Sequence, residues 1–397
     1  MRTVPLRDRL WVAGALVCSL QWLCLRLCQV PLAQPWETLL PGLGIFGAAF
    51  LLSWGAELAQ LEISESLALA LLALMAVLPE YAVDIYLAWT AAHDPSYTAF
   101  AAANMTGGNR LLIGLGWPVV LLCYWMKTRR KEITLDKGQR IELATLVVAT
   151  GYAFLIPLKR TLSLVDTVLL VGLFVVYLIR SSQAHHVEPE LEGPPRHLAR
   201  LPRTWRRLVT VAMFLLPGLT IFMAAQPFAE GLLDSARGLG IEEFLLIQWL
   251  APLASESPEF VVAALFALRG NARAGLGTLV SSKVNQWTLL IGMLPLAYAI
   301  SGGHIMPMHL DGRQAEEILL TAAQSLLAVV ILANLGFGIW EGVLLASLFS
   351  MQLLIPDPRV RIGFSIVYVV LAVAYLGNKA YRRSMRELLK GFWTSAL

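Results

Sequence analysis

Apolar segments recur along almost the whole chain, each near the roughly 20 residues that a helix needs to cross the hydrocarbon core of a bilayer. Twelve stretches qualify, at approximately 10–30, 38–60, 65–91, 98–125, 141–158, 162–180, 207–233, 242–268, 273–300, 315–333, 337–355 and 360–380. Backbone polar groups in lipid must be satisfied within the segment itself, so each stretch is constrained to be helical. The expectation is an all-α polytopic membrane protein with about 12 transmembrane helices. Composition agrees: 57% of the 397 residues are hydrophobic and 15% are charged, where a soluble domain carries roughly a quarter charged residues. The first stretch follows Arg2, Arg7 and Arg9 as a secretory signal would. It lacks a small-residue cleavage site and runs at once into a second apolar stretch, so it reads as a retained helix.

Basic residues divide unevenly among the connections. With a cytoplasmic N-terminus, the connections on that side (2–9, 127–140, 180–207, 269–273 and 379–390) hold 22 Lys and Arg. The other side holds 6: Lys159, Arg160, Arg237, Arg313, Arg359 and Arg361. The positive-inside rule then places both termini in the cytoplasm, in the cell membrane. The net charge of +4 comes from these loops and implies no nucleic-acid partner. Cys18, Cys24, Cys28 and Cys123 fall in apolar stretches with no Cys-His cluster, which points to packing rather than a structural metal. The one long polar connection, 181–206, carries His185, His186, Glu188, Glu190, Glu192 and His197 among prolines. It reads as a solvated tether between two halves, with a metal-sensing role as the competing reading.

Each half contains a Pro-Glu pair inside an apolar helix, followed by a helix rich in small residues. The first is Leu74-Met-Ala-Val-Leu-Pro-Glu80 leading to Ala103-Asn-Met-Thr-Gly-Gly-Asn-Arg110, and the second is Leu253-Ala-Ser-Glu-Ser-Pro-Glu259 leading to Gly277-Thr-Leu-Val-Ser-Ser-Lys283. A carboxylate at membrane depth is costly unless it faces protein, water or an ion, so such residues are functional candidates. Paired interrupted helices in corresponding places of two halves point to a transporter's binding site. Asp84 lies four residues after Glu80 and Glu256 three before Glu259, so each helix presents two carboxylates on one face. Four such groups do not all stay ionised without cations. Arg110 and Lys283 supply two positive charges, leaving a formal deficit of about two that one hard divalent cation such as Ca2+, or two protons, would balance. Glu80 and Glu259 as plain structural ion pairs with Arg110 and Lys283 is the competing reading. Glu57, Asp166, Glu230, Gln324 and Glu341 share no such pattern and read as packing or interface residues.

These segments resemble the two alpha-repeats of the calcium/cation antiporter superfamily, which includes the sodium/calcium exchangers. Its repeats run Gly-Thr-Ser-Leu-Pro-Glu and, on the next helix, Gly-Asn-x-x-Gly-Ser-Asn. The first repeat keeps Pro79, Glu80, Asn104, Gly107 and Asn109; the second keeps Ser255, Pro258, Glu259, Gly277 and Ser282. Gly55-Ala-Glu-Leu and Ala229-Glu-Gly-Leu-Leu precede them. The resemblance implies a ten-helix core of inverted repeats, a cation site at the membrane midplane and alternating access. It implies ion-binding roles for Glu80, Glu259, Ser282 and Gln286, with Glu80 and Glu259 as the metal carboxylates, and the paired charges add Asp84 and Glu256 as ion-binding candidates of this chain's own. Arg110 and Lys283 become coupling or charge-compensating groups, with Lys283 the titrating partner of Glu256 or Glu259. Asn104, Gly107, Gly108, Asn109, Ser255, Gly277 and Ser281 mark the helix breaks. The implied segments are 1–36, an extra N-terminal helix; 37–180 and 207–355, the two repeat halves; 181–206, the linker; and 356–397, an extra helix with a basic tail.

The chain departs from the family pattern at Ala76, Val77, Gly108 and Leu112, where oxygen ligands of the sodium type are missing, and at Glu256 and Gln286. These departures favour H+ as the coupling ion. The function expected is therefore a secondary active antiporter of Ca2+ or a related cation against H+ or Na+. A sodium/proton exchanger, or a transport-inactive regulatory membrane protein on the same scaffold, are the alternatives. Walker, Gly-x-Ser-x-Gly and metallohydrolase constellations do not occur, so no enzyme and no cofactor is expected. The expected partners are inorganic cations and the lipid bilayer, with the oligomeric state open.

Overall fold

The computed structural model describes residues 5–59, 61, 78–183, 191, 193–354 and 357–394. Ala76 and Val77, the start of the third apolar stretch, and the linker's His185, His186, Glu188, Glu190 and Glu192 lie outside the described residues. In chain order the helices begin with α1 (Leu6–Leu27), α2 (Trp36–Ala59), α3 (Leu78–Ala91), α4 (Tyr97–Leu111) and α5 (Trp117–Thr128). Strand β1 (Glu132–Thr134), α6 (Arg140–Ala153), α7 (Leu155–Lys159), β2 (Thr161–Leu162), α8 (Leu164–Gln183) and α9 (Pro194–Leu198) follow. The second half runs α10 (Arg203–Leu239), α11 (Glu243–Leu268), α12 (Ala272–Asn285), α13 (Ile291–Gly302), β3 (Met308–His309) and α14 (Gly312–Leu332). It closes with β4 (Gly336–Gly338), α15 (Ile339–Leu354), α16 (Pro358–Gly377) and α17 (Lys379–Thr394).

Among the described residues, nine helices are long and apolar enough to cross a membrane, and Ile339–Leu353 is a shorter apolar helix. The other predicted spans coincide with α3, whose beginning adjoins the undescribed residues, and with α12 to α13, which carry Arg273 and Lys283. The chain divides into two compact units, Met1–Leu87 with His185–Glu259, and Ala88–Ala184 with Phe260–Leu397.

In the first unit α2 is packed closely by α1 and α10, and glycines make that possible. A Cβ on Gly47 would lie 2.6 Å from the Ala15 carbonyl oxygen of α1, and one on Gly55 would lie 2.9 Å from Met213 of α10. Lipid offers no hydrophobic drive for helix association, so small residues that let backbones approach supply the contact. Gly55, part of the Gly-Ala-Glu-Leu stretch, is thus a packing residue. The described part of the linker is not a solvated tether: α9 buries Pro194 and Pro195, and His197 Nε2 lies 3.0 Å from Asp8 Oδ2 of α1. Cys24 on α1 and Cys28 just after it are exposed rather than packed, so the packing reading holds for the buried Cys123 and not for them.

In the second unit the two halves repeat one plan. α4 continues into a π-helical turn at Leu112–Gly116 and then α5; α12 continues into a π-helical turn at Gln286–Leu290 and then α13. The antiparallel pairs β1 with β4 and β2 with β3 each join a loop of one half to a loop of the other. Asp136 and Asp311 open matching Asp-x-x-Gln capping boxes with Gln139 and Gln314, each satisfying two backbone N–H groups at a helix start. A carboxylate one turn after β2 and β4 does the same work twice: Asp166 accepts from Ser163 N at 2.7 Å and Glu341 from Gly338 N at 2.7 Å. α14 is the most enclosed of the long apolar helices.

Candidate functional site

The Pro-Glu helices belong to the first unit over the residues that matter. Near the start of α3, Glu80 and Asp84 stack one turn apart and are 3% and 0% exposed. Farther along, Tyr86 donates from its hydroxyl to Glu230 of α10, which also accepts from Gln226 at 3.2 Å. Glu230 therefore anchors the Pro-Glu helix, a role that its isolated position in the sequence did not signal.

α11 runs unbroken through Pro252 and Pro258. Proline has no N–H, so the carbonyls of Gln248 and Ala254 cannot receive the usual helical hydrogen bond. Ser255 Oγ turns back to the carbonyls of Ala251 and Pro252, at 3.1 and 3.3 Å, and is occupied there. Glu256 is 3% exposed. Glu259 Oε2 is buried with no hydrogen-bond partner among the described residues. An acceptor oxygen buried in that condition is costly unless a proton or a cation joins it.

The second unit holds the small-residue helices, and here the sequence reading needs correction. Residues Asn104, Gly107, Gly108, Asn109, Gly277 and Ser281 do not break their helices: α4 and α12 are continuous through them, and Ser255 likewise sits inside an unbroken α11. The irregularity follows them, as the two π-helical turns that open at Leu112 and Gln286, the positions aligned in the two repeats. Glycine here serves contact rather than unwinding. Gly277 lies against the side chain of Gln139, where a Cβ would collide. A π turn keeps the chain hydrogen-bonded while shifting its register, which satisfies the membrane's demand on backbone groups better than a break does.

Asn109 and Lys283 occupy equivalent places in the two repeats, 174 residues apart, and they meet. Lys283 Nζ donates to Asn109 Oδ1 at 2.7 Å and to the Asn109 carbonyl at 3.3 Å, and stands 4.3 Å from the centre of the Trp287 ring. Asn109 Nδ2 in turn donates to the Met105 carbonyl at 2.8 Å. Asn104 is buried, and neither end of its amide has a hydrogen-bond partner among the described residues. Gln286 is fully buried at the head of its π turn, and Ser282 is half-buried one turn before it.

Arg110 finds a partner that the sequence did not offer. Its Nη2 lies 2.6 Å from Glu317 Oε2 of α14, and both side chains are 3% exposed. Arg361 of α16 adds a second guanidinium, 3.6 Å from Glu317 and 3.2 Å from Glu316. Gln324 Nε2 reaches the Arg110 carbonyl at 3.4 Å, so it is more than packing. The expectation that Arg361 is an outer loop cation is overturned: it is buried inside α16. Arg313 stands beside the same two glutamates, so three arginines meet two glutamates here, and Arg110 is compensated by Glu317 within its own unit.

The whole is a polytopic α-helical membrane protein built from two related halves, each with a buried Pro-Glu helix and a small-residue helix ending in a π turn. The family described as sodium/calcium exchanger protein matches residues 38–183 and 209–356. The chain belongs to that family. The solved structure of an H+/Ca2+ exchanger, CAX, is 44% identical over 98% of both chains, with a TM-score of 0.93. The sodium-calcium exchanger NCX_Mj (16% identity, 87% of this chain and all of that one, TM-score 0.53) shares the fold. So does the Ca2+/H+ antiporter protein YfkE (13% identity, 90% of this chain and 99% of that one, TM-score 0.63). Comparison with curated protein sequences found no match. The inverted-repeat exchanger core expected from the sequence is thereby the fold of this chain.

Proposed function

We propose that this protein is a secondary active cation antiporter that moves Ca2+ or a related cation in exchange for H+ or Na+, with H+ the favoured coupling ion. The observation that carries the reading is the 44% identity, across 98% of both chains, to a solved H+/Ca2+ exchanger. Glu80, Asp84, Glu256 and Glu259 supply the hard oxygen ligands that Ca2+ prefers, and the buried, unpartnered Glu259 Oε2 supports a cation-binding role. Ser282 and Gln286 are the neutral candidates. With Arg110 engaged by Glu317, the charge balance proposed for the four carboxylates keeps Lys283, the titratable cation, alone. That raises the formal deficit from about two to about three, which a divalent ion together with a proton meets.

Both termini lie in the cytoplasm of a cell membrane in this reading. Removing Arg361 from the outer count leaves 22 basic residues inside against 5 outside, which strengthens the bias. The segments 37–180 and 207–355 are the working halves, 181–206 joins them, and 1–36 and 356–397 are additions. The test is Ca2+ uptake into proteoliposomes with one gradient imposed at a time. Uptake driven by a proton gradient and not by a sodium gradient is expected; uptake under neither would end the proposal.

A further inference from the structure

Helix α17 starts two residues after the last apolar helix ends at Gly377, and it is not among the helices apolar enough to span a membrane. Its side chains fall into two stripes at helical spacing. Tyr381, Ser384, Met385, Leu388 and Leu389 face the protein, Leu388 being 2% exposed, whereas Lys379, Arg382, Arg383, Arg386 and Lys390 are exposed.

The inner stripe is anchored by specific contacts. Tyr381 donates from its hydroxyl to Glu341 Oε1 at the start of α15, at 2.9 Å, and its ring meets Tyr375 edge-on with centroids 5.2 Å apart. Burial, with the Glu341 carboxylate beside it, pushes the Tyr381 phenol up, so it stays a donor. Glu387 lies 3.7 Å from Arg140, the first residue of α6. The same end of the unit gathers further exposed cations. Ile339 N donates to the Lys131 carbonyl at 2.8 Å, which sets Arg129, Arg130 and Lys131 beside the head of α15. Arg273, at the start of α12, is paired with Asp136 at 2.6 Å.

We infer that α17 lies in the headgroup layer of the membrane, its inner stripe docked on the helix ends and its basic stripe bound to the headgroups of anionic phospholipids. This rests on the chain spanning a membrane but not on which ions it moves. Two features fix the occupant. The stripe begins where the last apolar helix stops, which is headgroup depth, and its exposed side is dominated by five cations, with Glu387, 3.0 Å from Arg383, the one acid exposed among them. A cluster of four or more Lys and Arg directly beside a membrane span is the chemistry that attracts anionic lipid. An amphipathic helix with a cationic outer face lies along that layer rather than across it.

The test uses the full-length protein in a neutral detergent, titrated with phosphatidylglycerol or phosphatidylcholine, with retained lipid counted by native mass spectrometry. The wild type is expected to retain phosphatidylglycerol in preference, and less of it as salt rises. Removing charge in R382Q/R383Q/R386Q/K390Q should weaken phosphatidylglycerol retention by about fivefold per charge removed, to the level of phosphatidylcholine. R382K/R383K/R386K keeps the charge and should keep the preference. A wild type without preference, a Gln variant that retains it, or a Lys variant that loses it as the Gln variant does would each overturn the inference. No ion gradient enters the readout, so failure of the antiporter reading is registered separately.

Discussion

Glu317→Gln is the most informative single change in the second unit. The wild-type carboxylate stands 2.6 Å from Arg110 and 3.6 Å from Arg361, in a site where its side chain and that of Arg110 are each 3% exposed. The amide keeps the shape but removes the charge that offsets Arg110, while Arg361 retains Glu316 at 3.2 Å. An uncompensated buried charge destabilises by about 3–5 kcal/mol, whereas an apolar replacement of both partners is often close to neutral. Arg110→Met leaves Glu317 facing Arg361 at 3.6 Å and should cost less, and the double variant Arg110→Met, Glu317→Gln should cost clearly less than the two single changes together. A coupling of about 2–3 kcal/mol is expected from such a contact. Unfolding of the purified protein by SDS in mixed micelles, followed by tryptophan fluorescence, measures all four corners of the cycle. Single costs that add to within about 0.5 kcal/mol would refute the assignment of Glu317 as the Arg110 counter-ion.

Glu80→Gln and Glu259→Gln should each reduce Ca2+ exchange by at least about 100-fold while the protein still inserts and purifies, because the amide cannot offer the charge a hard divalent ion needs; near-normal flux in both would leave these acids as structure. For Lys283→Arg, the pH dependence of cation uptake should flatten, since a guanidinium keeps its proton where an ammonium in a desolvated site can release it; an unchanged profile at full activity would remove Lys283 from the coupling step. Gly138→Cys, at an exposed position in the loop between β1 and α6, should be shielded from membrane-impermeant reagent in intact cells, in a background freed of the four native cysteines. Labelling from outside would reverse the orientation.

The helical spans were readable because bilayer thickness sets a length that few other constraints imitate. The two acidic helices were readable because a carboxylate in such a span has few structural excuses. What escaped was long-range pairing. Glu317 sits six residues into a span that opens with Asp311, and nothing local ties it to Arg110 in the other half. Arg361, just past Pro358 at a helix start, looked like a loop cation because helix boundaries shift by several residues in sequence reading. A usable signal was present in Leu135-Asp136-x-x-Gln139 and Leu310-Asp311-x-x-Gln314. These twin capping boxes mark equivalent helix starts and would have put Glu142 and Glu317 at matching, suspect positions. The π turns were not distinguishable from breaks, because Gly107, Gly108 and Gly277 permit either unwinding or close approach, and only packing partners such as Gln139 decide between them.

Antiport requires that one ion's entry expel the other, and that reciprocity is the central claim. Wild-type protein reconstituted into vesicles containing a pH-sensitive dye, with no initial pH gradient, should alkalinise the lumen when Ca2+ is added outside, as protons leave in exchange. Vesicles carrying the Glu80→Gln, Glu259→Gln double variant should show no change. A wild type that takes up Ca2+ with no proton movement, or a double variant that still exchanges, would contradict the account.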